Sequence, residues 1–151
     1  MELKSILAGV ELFEGLTKEE IKKVCSLCKK RQYKENEIIA AQDTPGMEMY
    51  IIQEGFVEVS VQRRGGSAGK VIVNLGIGQT VGEMSLIDGN PASAVVSAET
   101  DSKLLSIHQD ALWSLIDKSH SIARNLLHIL SARLRDNSLA MNEALEHLTY
   151  L

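Results

Sequence analysis

The chain has 151 residues, of which 44% are hydrophobic and 24% are charged, a composition typical of one soluble globular domain with its own core. Its 20 acidic and 16 basic residues give a net charge of −4, which argues against a general nucleic-acid binder because such proteins carry a basic surplus. No apolar run approaches the roughly 20 residues that span a bilayer, and the first residues lack the pattern of a signal peptide. We therefore expect one cytoplasmic domain over residues 1–151, with neither nucleic acid nor membrane as a partner.

The first predicted element is a helix that begins at a capping box. Thr17 can accept a hydrogen bond from the amide of Glu20, whose side chain can reach back to the amide of Thr17. Ile21, Val24, Cys25 and Cys28 follow at helical spacing, and a basic run at 29–31 suits a helix C-terminus. We predict a helical N-terminal segment over 1–36, with the two cysteines packed on its apolar face rather than binding a metal.

Short strands and turns are predicted over 37–107. Residues 56–62 alternate between apolar and polar side chains, which is the period of a half-buried strand, and residues 49–52 and 71–75 are also typical of strands. Glycine, proline, asparagine and aspartate punctuate the segment at 45–46, 65–66 and 88–91. Many short strands at nearly even spacing indicate a sandwich or a jelly roll.

Residues 108–151 are predicted to form two helices. A short one covers Gln109 to Lys118, and a longer one begins near Ser119 or Ser121, either of which can cap it. The longer helix carries two heptad rows, one of Leu127, Leu134, Met141 and Leu148 and the other of Leu130, Asn137, Ala144 and Leu151. The pattern is typical of a helix that pairs with a second copy, and the alternative is a stripe packed on the same subunit's β-roll.

One segment carries the most specific signal. Residues 82–94 read Gly-Glu-Met-Ser-Leu-Ile-Asp-Gly-Asn-Pro-Ala-Ser-Ala, and they resemble the phosphate-binding cassette of cyclic-nucleotide-binding domains of the catabolite activator and protein kinase regulatory subunit type. Residues 33–39 and 46–59 extend the resemblance, which covers almost the whole chain. The resemblance implies a mainly β fold: a double-stranded β-helix, or jelly roll, flanked by an N-terminal helix and a C-terminal helical pair with a long last helix.

The resemblance also implies a set of ligand-binding residues. Glu83 would accept a hydrogen bond from the ribose 2′-hydroxyl, Gly82 would let backbone approach the ligand, and Met84 and Ser85 would offer amides to the phosphate. Ser93 and the Ala94 amide would bind the phosphate from the far side. Asn137 and Ser138 match the positions that contact the purine, although Asn137 also reads as a register-setting residue of a dimer helix.

The family arginine of the cassette is missing, and Ala92 takes its place. Losing that charge-assisted contact should cost roughly 2 to 4 kcal/mol of binding free energy. Arg63, Arg64 or Lys103 are the candidates that could replace the cation from a neighbouring loop.

The function expected from these observations is a non-catalytic, ligand-sensing regulatory module that binds cyclic AMP or cyclic GMP weakly. Two alternatives are a dimerisation or interaction scaffold that has lost the ligand, and a sensor of a different small anion. No catalytic, metal-binding or cofactor motif is present in the sequence. A homodimer through the last helix is the expected assembly, and without a helix-turn-helix after residue 151 no DNA binding is expected.

Overall fold

A computed structural model describes residues 2–41, 43, 45–61, 70–89 and 94–149. The helices are α1 Leu3–Ala8, α2 Lys18–Leu27, α3 Glu83–Asp88, α4 Gln109–Lys118 and α5 His120–Thr149, with a 3-10 turn at Glu11–Phe13. The strands are β1 Lys29–Tyr33, β2 Ile38–Ala40, β3 Glu48–Glu54, β4 Val57–Val61, β5 Lys70–Leu75, β6 Thr80–Val81, β7 Val95–Ala98 and β8 Ser102–His108.

The eight strands form two four-stranded sheets. The order is β1-β8-β3-β6 in one sheet and β2-β7-β4-β5 in the other, and every pairing is antiparallel. Consecutive strands thus alternate between the sheets over much of the chain, which is the arrangement of a jelly roll. The predicted fold class is confirmed, and the predicted strands at 49–52, 56–62 and 71–75 correspond to β3, β4 and β5.

The N-terminal segment confirms one local prediction and corrects another. The capping box is present, with the amide of Glu20 donating to the Thr17 hydroxyl and the amide of Thr17 donating to Glu20, both at 3.1 Å. However, α2 ends at Leu27, and the basic run that we expected to close it lies in β1. The preference of cations for a helix C-terminus is weak, and the pairing of five residues of β1 with β8 stabilises the strand more. The helical N-terminal segment that we predicted over 1–36 therefore ends at Leu27, and the extension of the prediction to residue 36 is wrong.

Two apolar clusters organise the molecule. The first joins the helices to the outer face of the β3–β8 sheet, where Met49, Ile51, Leu105 and Ile107 are fully buried. The second fills the interior of the roll with Ile52, Val57, Leu104 and their neighbours. Alternate residues of β3 thus face opposite cores, so Glu48, Tyr50 and Ile52 share the interior face.

One heptad row of the long helix α5 is exposed to solvent. Ser119 caps it, because its hydroxyl accepts a hydrogen bond from the amide of Ile122 at 3.3 Å. The row of Leu127, Leu134, Met141 and Leu148 is 61–68% exposed. This row therefore does not pack on the chain's own core, to which α5 contributes Ile122 and Leu126, with Leu130 of the second row packed against them. Leu151 lies outside the described residues.

Among the described helices, none combines the length and apolar character that crossing a membrane requires.

Candidate functional site

The site begins at a sharp turn between β6 and α3. Gly82 has φ +90°, a conformation that side chains with a Cβ rarely adopt. A Cβ atom at this position would also lie 2.9 Å from the carbonyl oxygen of Glu48. The glycine therefore lets the start of α3 lie directly against β3. Among the described residues, the group that lies close to Gly82 is the backbone of Glu48. The resemblance instead implied that a ligand approaches the backbone at Gly82.

Glu83, the first residue of α3, is a buried carboxylate with a cationic partner. Its side chain is 6% exposed and forms an ion pair with the guanidinium of Arg133 in α5. A carboxylate removed from water is retained in its charged form only when a cation or several donors compensate it. Arg133 therefore ties the last helix to the turn that opens the candidate site.

Arg133 is one of the site residues that the sequence analysis missed. Of the cations it named instead, Lys103 lies 3.7 Å from Glu54 at an exposed position, and Arg63 and Arg64 lie outside the described residues. The signal was present in the spacing of α5. Ile122, Leu126 and Ile129 form the stripe that packs on the core, and Arg133 continues this stripe one turn further. A cation that extends a buried stripe is aimed at the core side of its helix.

A cavity of about 300 Å³ opens inside the roll next to this ion pair. Its lining combines the start of α3 with Arg133, polar side chains of β3 and an apolar wall from both sheets. The residues are Ala40, Gly46, Glu48, Tyr50, Val59, Val73, Leu75, Thr80, Val81, Gly82, Glu83, Met84, Ser85, Ala94, Val96 and Arg133. A second cavity of about 370 Å³, bounded by residues 9–12 and 77–80, also has Glu83 and Arg133 in its lining. The ion pair therefore borders both spaces.

A second carboxylate, Glu48, lies in the wall of the roll cavity. Its Oε1 accepts a hydrogen bond from Nη2 of Arg31 at 2.9 Å, and its Oε2 accepts one from the Tyr50 hydroxyl at 3.1 Å. Arg31 also donates from Nε to the buried hydroxyl of Ser106 at 3.3 Å. The hydrogen bond to Glu48 raises the pKa of Arg31, and burial, with Tyr33 and Glu48 nearby, raises the pKa of Tyr50. Arg31 and Tyr50 therefore keep their protons at neutral pH.

The remaining predicted residues are only partly brought together. Met84 is 52% exposed, while Ser85 packs against Gly46, where a Cβ atom would lie 2.5 Å from the serine Cβ. Both line the roll cavity, as does Ala94. Ala92 and Ser93 lie outside the described residues, as does the side chain of Asn137. Ser138 is exposed and is not among the residues that line this cavity, so its contact with a purine remains a prediction.

Helix α3 is also connected to α4, the first helix after the roll. Nε2 of Gln109 and the indole Nε1 of Trp113 each donate a hydrogen bond to the carbonyl oxygen of Leu86, both at 3.3 Å. Leu86 itself is fully buried in the core that contains Leu112 and Leu115 of α4. A movement of α3 would therefore be transmitted to α4 through both hydrogen bonds and packing.

Comparison with known proteins gives a consistent result. Residues 30–119 match the family described as cyclic nucleotide-binding domain. The Cyclic AMP receptor protein of Thermus thermophilus is 32% identical over 136 residues, which are 90% of this chain and 62% of that protein. The crystal structure of the Thermus thermophilus catabolite activator protein superposes with a TM-score of 0.82 at 32% identity, covering 87% of this chain and 62% of that one.

A further solved structure shares the same architecture. A cyclic nucleotide-binding domain from Methylobacillus flagellatus has a TM-score of 0.75 at 27% identity, covering 89% of this chain and 77% of that one. The chain thus covers 77% of that structure, but it spans less than two thirds of the Thermus thermophilus relative.

Proposed function

Because the chain belongs to the family of cyclic nucleotide-binding domains, we propose that it is a regulatory module that binds cyclic AMP or cyclic GMP in its roll cavity. The observation that supports this most directly is the pairing of buried Glu83 with Arg133 in the lining of that cavity. A buried carboxylate can accept a hydrogen bond from a ribose hydroxyl, and a guanidinium can donate hydrogen bonds to a phosphate.

Arg133 is proposed to supply cationic character that the cassette lacks at Ala92. A guanidinium has five N–H donors in a planar fork, so Arg133 can remain hydrogen-bonded to Glu83 while it donates to a ligand oxygen. One cation shared between a carboxylate and a phosphate compensates each of them less than a dedicated partner would. Binding is therefore expected to be weaker than with an arginine at position 92, but by less than the roughly 2 to 4 kcal/mol that complete loss of the contact would cost.

The proposed output is a change in the helices that follow the roll. A ligand at the start of α3 would change the position of α4 through the two hydrogen bonds to Leu86. It would change the position of α5 through Arg133. It would shift the balance between two arrangements of these helices only as far as it binds one of them better. The module is proposed to be non-catalytic, in keeping with the receptor that it resembles.

A second copy of the chain is the proposed partner of α5. Four large apolar side chains at heptad spacing are 61–68% exposed, and such a row is buried when two helices pair. This observation also favours the alternative function, a dimerisation scaffold in which the cavity has no ligand. The two functions differ in one measurable property, which is the affinity for a cyclic nucleotide.

Titration calorimetry with cyclic AMP and cyclic GMP tests the proposal, using the natural chain beside the Ala92→Arg variant. Micromolar to millimolar binding by the natural chain and tighter binding by the variant are the expected results. Adenosine and guanosine serve as ligands without the cyclic phosphate. If the natural chain shows no heat of binding at millimolar ligand but the variant does, the scaffold function is favoured. Heat absent from both folded proteins would exclude cyclic nucleotides as ligands.

A further inference from the structure

Glu48 stands in the ligand cavity as a carboxylate that the cassette motif does not include. β3 pairs with β6 in the register Tyr50↔Val81 and Ile51↔Thr80, and the backbone oxygen of Glu48 lies directly against Gly82. Glu48 and the start of α3 are therefore side by side in the same lining. Its side chain is 21% exposed, so solvent screens its charge only in part.

The described charges of the cavity are balanced before any ligand enters. Glu83 is paired with Arg133, and Glu48 is paired with Arg31. A cyclic nucleotide brings one further negative charge, for which the described residues of the lining hold no separate cation. Because Coulomb interactions are stronger where water is excluded, this imbalance weakens binding more than it would at an open surface.

We propose that Glu48 sets the affinity of this cavity for anionic ligands by adding a negative charge beside the phosphate and by retaining Arg31 as its own counterion. The inference rests on the proposed function and deepens it, since it names the residue that limits binding. Neutralising Glu48 leaves the cavity and its partners with one positive charge in excess, which matches a monoanionic phosphate. Neutralising Arg31 has the opposite effect, because the charge of Glu48 is then uncompensated.

The test uses the opposite signs expected for two variants of one ion pair. Glu48→Gln should bind cyclic AMP about tenfold more tightly, and Arg31→Gln about tenfold more weakly, than the natural chain. Both variants lose the same ion pair, so a purely structural role would change the affinity in the same direction in both. Adenosine, which lacks the phosphate, should bind the three proteins within about twofold of one another.

Glu54→Gln and Lys103→Gln are the matched controls, because they remove an exposed ion pair that lies outside the cavity lining. Both should leave the affinity for cyclic AMP within about twofold of the natural value. Circular dichroism and thermal melting establish that each variant is folded. If Glu48→Gln does not fold, the weaker binding of Arg31→Gln to cyclic AMP, with adenosine unchanged, still tests the inference.

The outcomes separate this inference from the proposed function. Opposite changes in affinity support it, and so does binding by Glu48→Gln when the natural chain binds nothing measurable. Binding by the natural chain that weakens or stays constant in Glu48→Gln overturns the inference and leaves the proposed function intact. Silence of every folded variant toward cyclic nucleotides overturns both.

Discussion

Arg133 of α5 and Glu83 of α3 form an ion pair in which the Glu83 side chain is buried and the Arg133 side chain is 41% exposed. The pair joins the last helix of the chain to the turn that opens the ligand cavity. Because one partner is accessible and the other is not, a ligand can reach the cation without first exposing the carboxylate. The same pair can thus stabilise the fold and bind a ligand.

Removing the cation should affect both properties. Arg133→Gln is expected to lower the free energy of unfolding by about 1 to 3 kcal/mol, since Glu83 then lies buried without its partner. Partial exposure of the Arg133 side chain keeps the expected loss below that of a fully buried pair. The affinity for cyclic AMP should fall about tenfold or more. Urea unfolding and titration calorimetry measure the two effects.

Arg135→Gln is the control for this prediction, because Arg135 is exposed on the same helix. It should change neither quantity beyond experimental error. Equal effects from Arg133→Gln and Arg135→Gln would show that the net charge of α5, rather than the ion pair with Glu83, is what matters.

Gly82→Ala should destabilise the fold through backbone strain and a collision. The residue has φ +90°, and the new Cβ atom would lie 2.9 Å from the carbonyl oxygen of Glu48. We expect a loss of about 2 to 4 kcal/mol in the free energy of unfolding, from strain and overpacking together. Thermal or urea unfolding monitored by circular dichroism provides the measurement.

Gly15→Ala separates the two causes. Gly15 has φ +79°, but within the described part of the chain no atom lies within 4 Å of the position of its Cβ. It should cost only the strain, about 1 kcal/mol. A loss as large as that of Gly82→Ala would contradict the role assigned to the contact with Glu48.

The exposed heptad row of α5 is expected to be the dimer interface. Replacing both Leu134 and Met141 by Asn should convert a dimer to a monomer in sedimentation velocity, because two apolar side chains of the seam become polar. Leu139→Asn should leave the dimer intact, since Leu139 is equally exposed at 62% but lies off the row. An identical association state for the two variants would contradict pairing through this row.

Cys28 is expected to be an unreactive thiol in the folded chain. Burial raises its pKa from 9.0 to about 12, and the nearby Cys25 contributes. Alkylation by iodoacetamide at pH 8.5 should therefore be roughly tenfold or more slower than in the urea-unfolded chain. Mass spectrometry of the peptides distinguishes Cys28 from Cys25, and equal rates in both states would refute the prediction.

The same shift has a consequence for stability at high pH. A thiol whose pKa is higher in the folded state favours the folded state less once the unfolded chain begins to ionise. The contribution of Cys28 is therefore complete below about pH 9 and is lost progressively as the pH rises toward 12. The difference in unfolding free energy between the natural chain and Cys28→Ala should shift against the natural chain over that interval.

Several features of this protein follow from the sequence because their causes are local. The capping box of α2 needs only residues 17–20, and the bounds of α4 agree with the prediction from Gln109 to Lys118. The alternation of 56–62 similarly predicts β4. The resemblance of residues 82–94 to the phosphate-binding cassette pointed to the jelly roll, which the strand order confirms.

Tertiary structure decided the features that depend on partners distant in the chain. The basic run at 29–31 is compatible with a helix end, but pairing with β8 makes it a strand. Arg133 reads as one of several cations on α5 until the helix is packed against α3. Arg31 likewise acquires its role only beside Glu48.

The physical reason for this division is the range of the interactions. Capping, turn formation and hydrophobic periodicity act within a few residues, so the sequence by itself determined elements such as α4 and β4. The family and the cassette were indicated by the resemblance of residues 82–94. The free energy of an ion pair depends on distance and on how much water the fold removes around it. Only the packing of α5 next to α3 and the pairing of β1 with β8 decided which arginines lie beside the two carboxylates of the cavity.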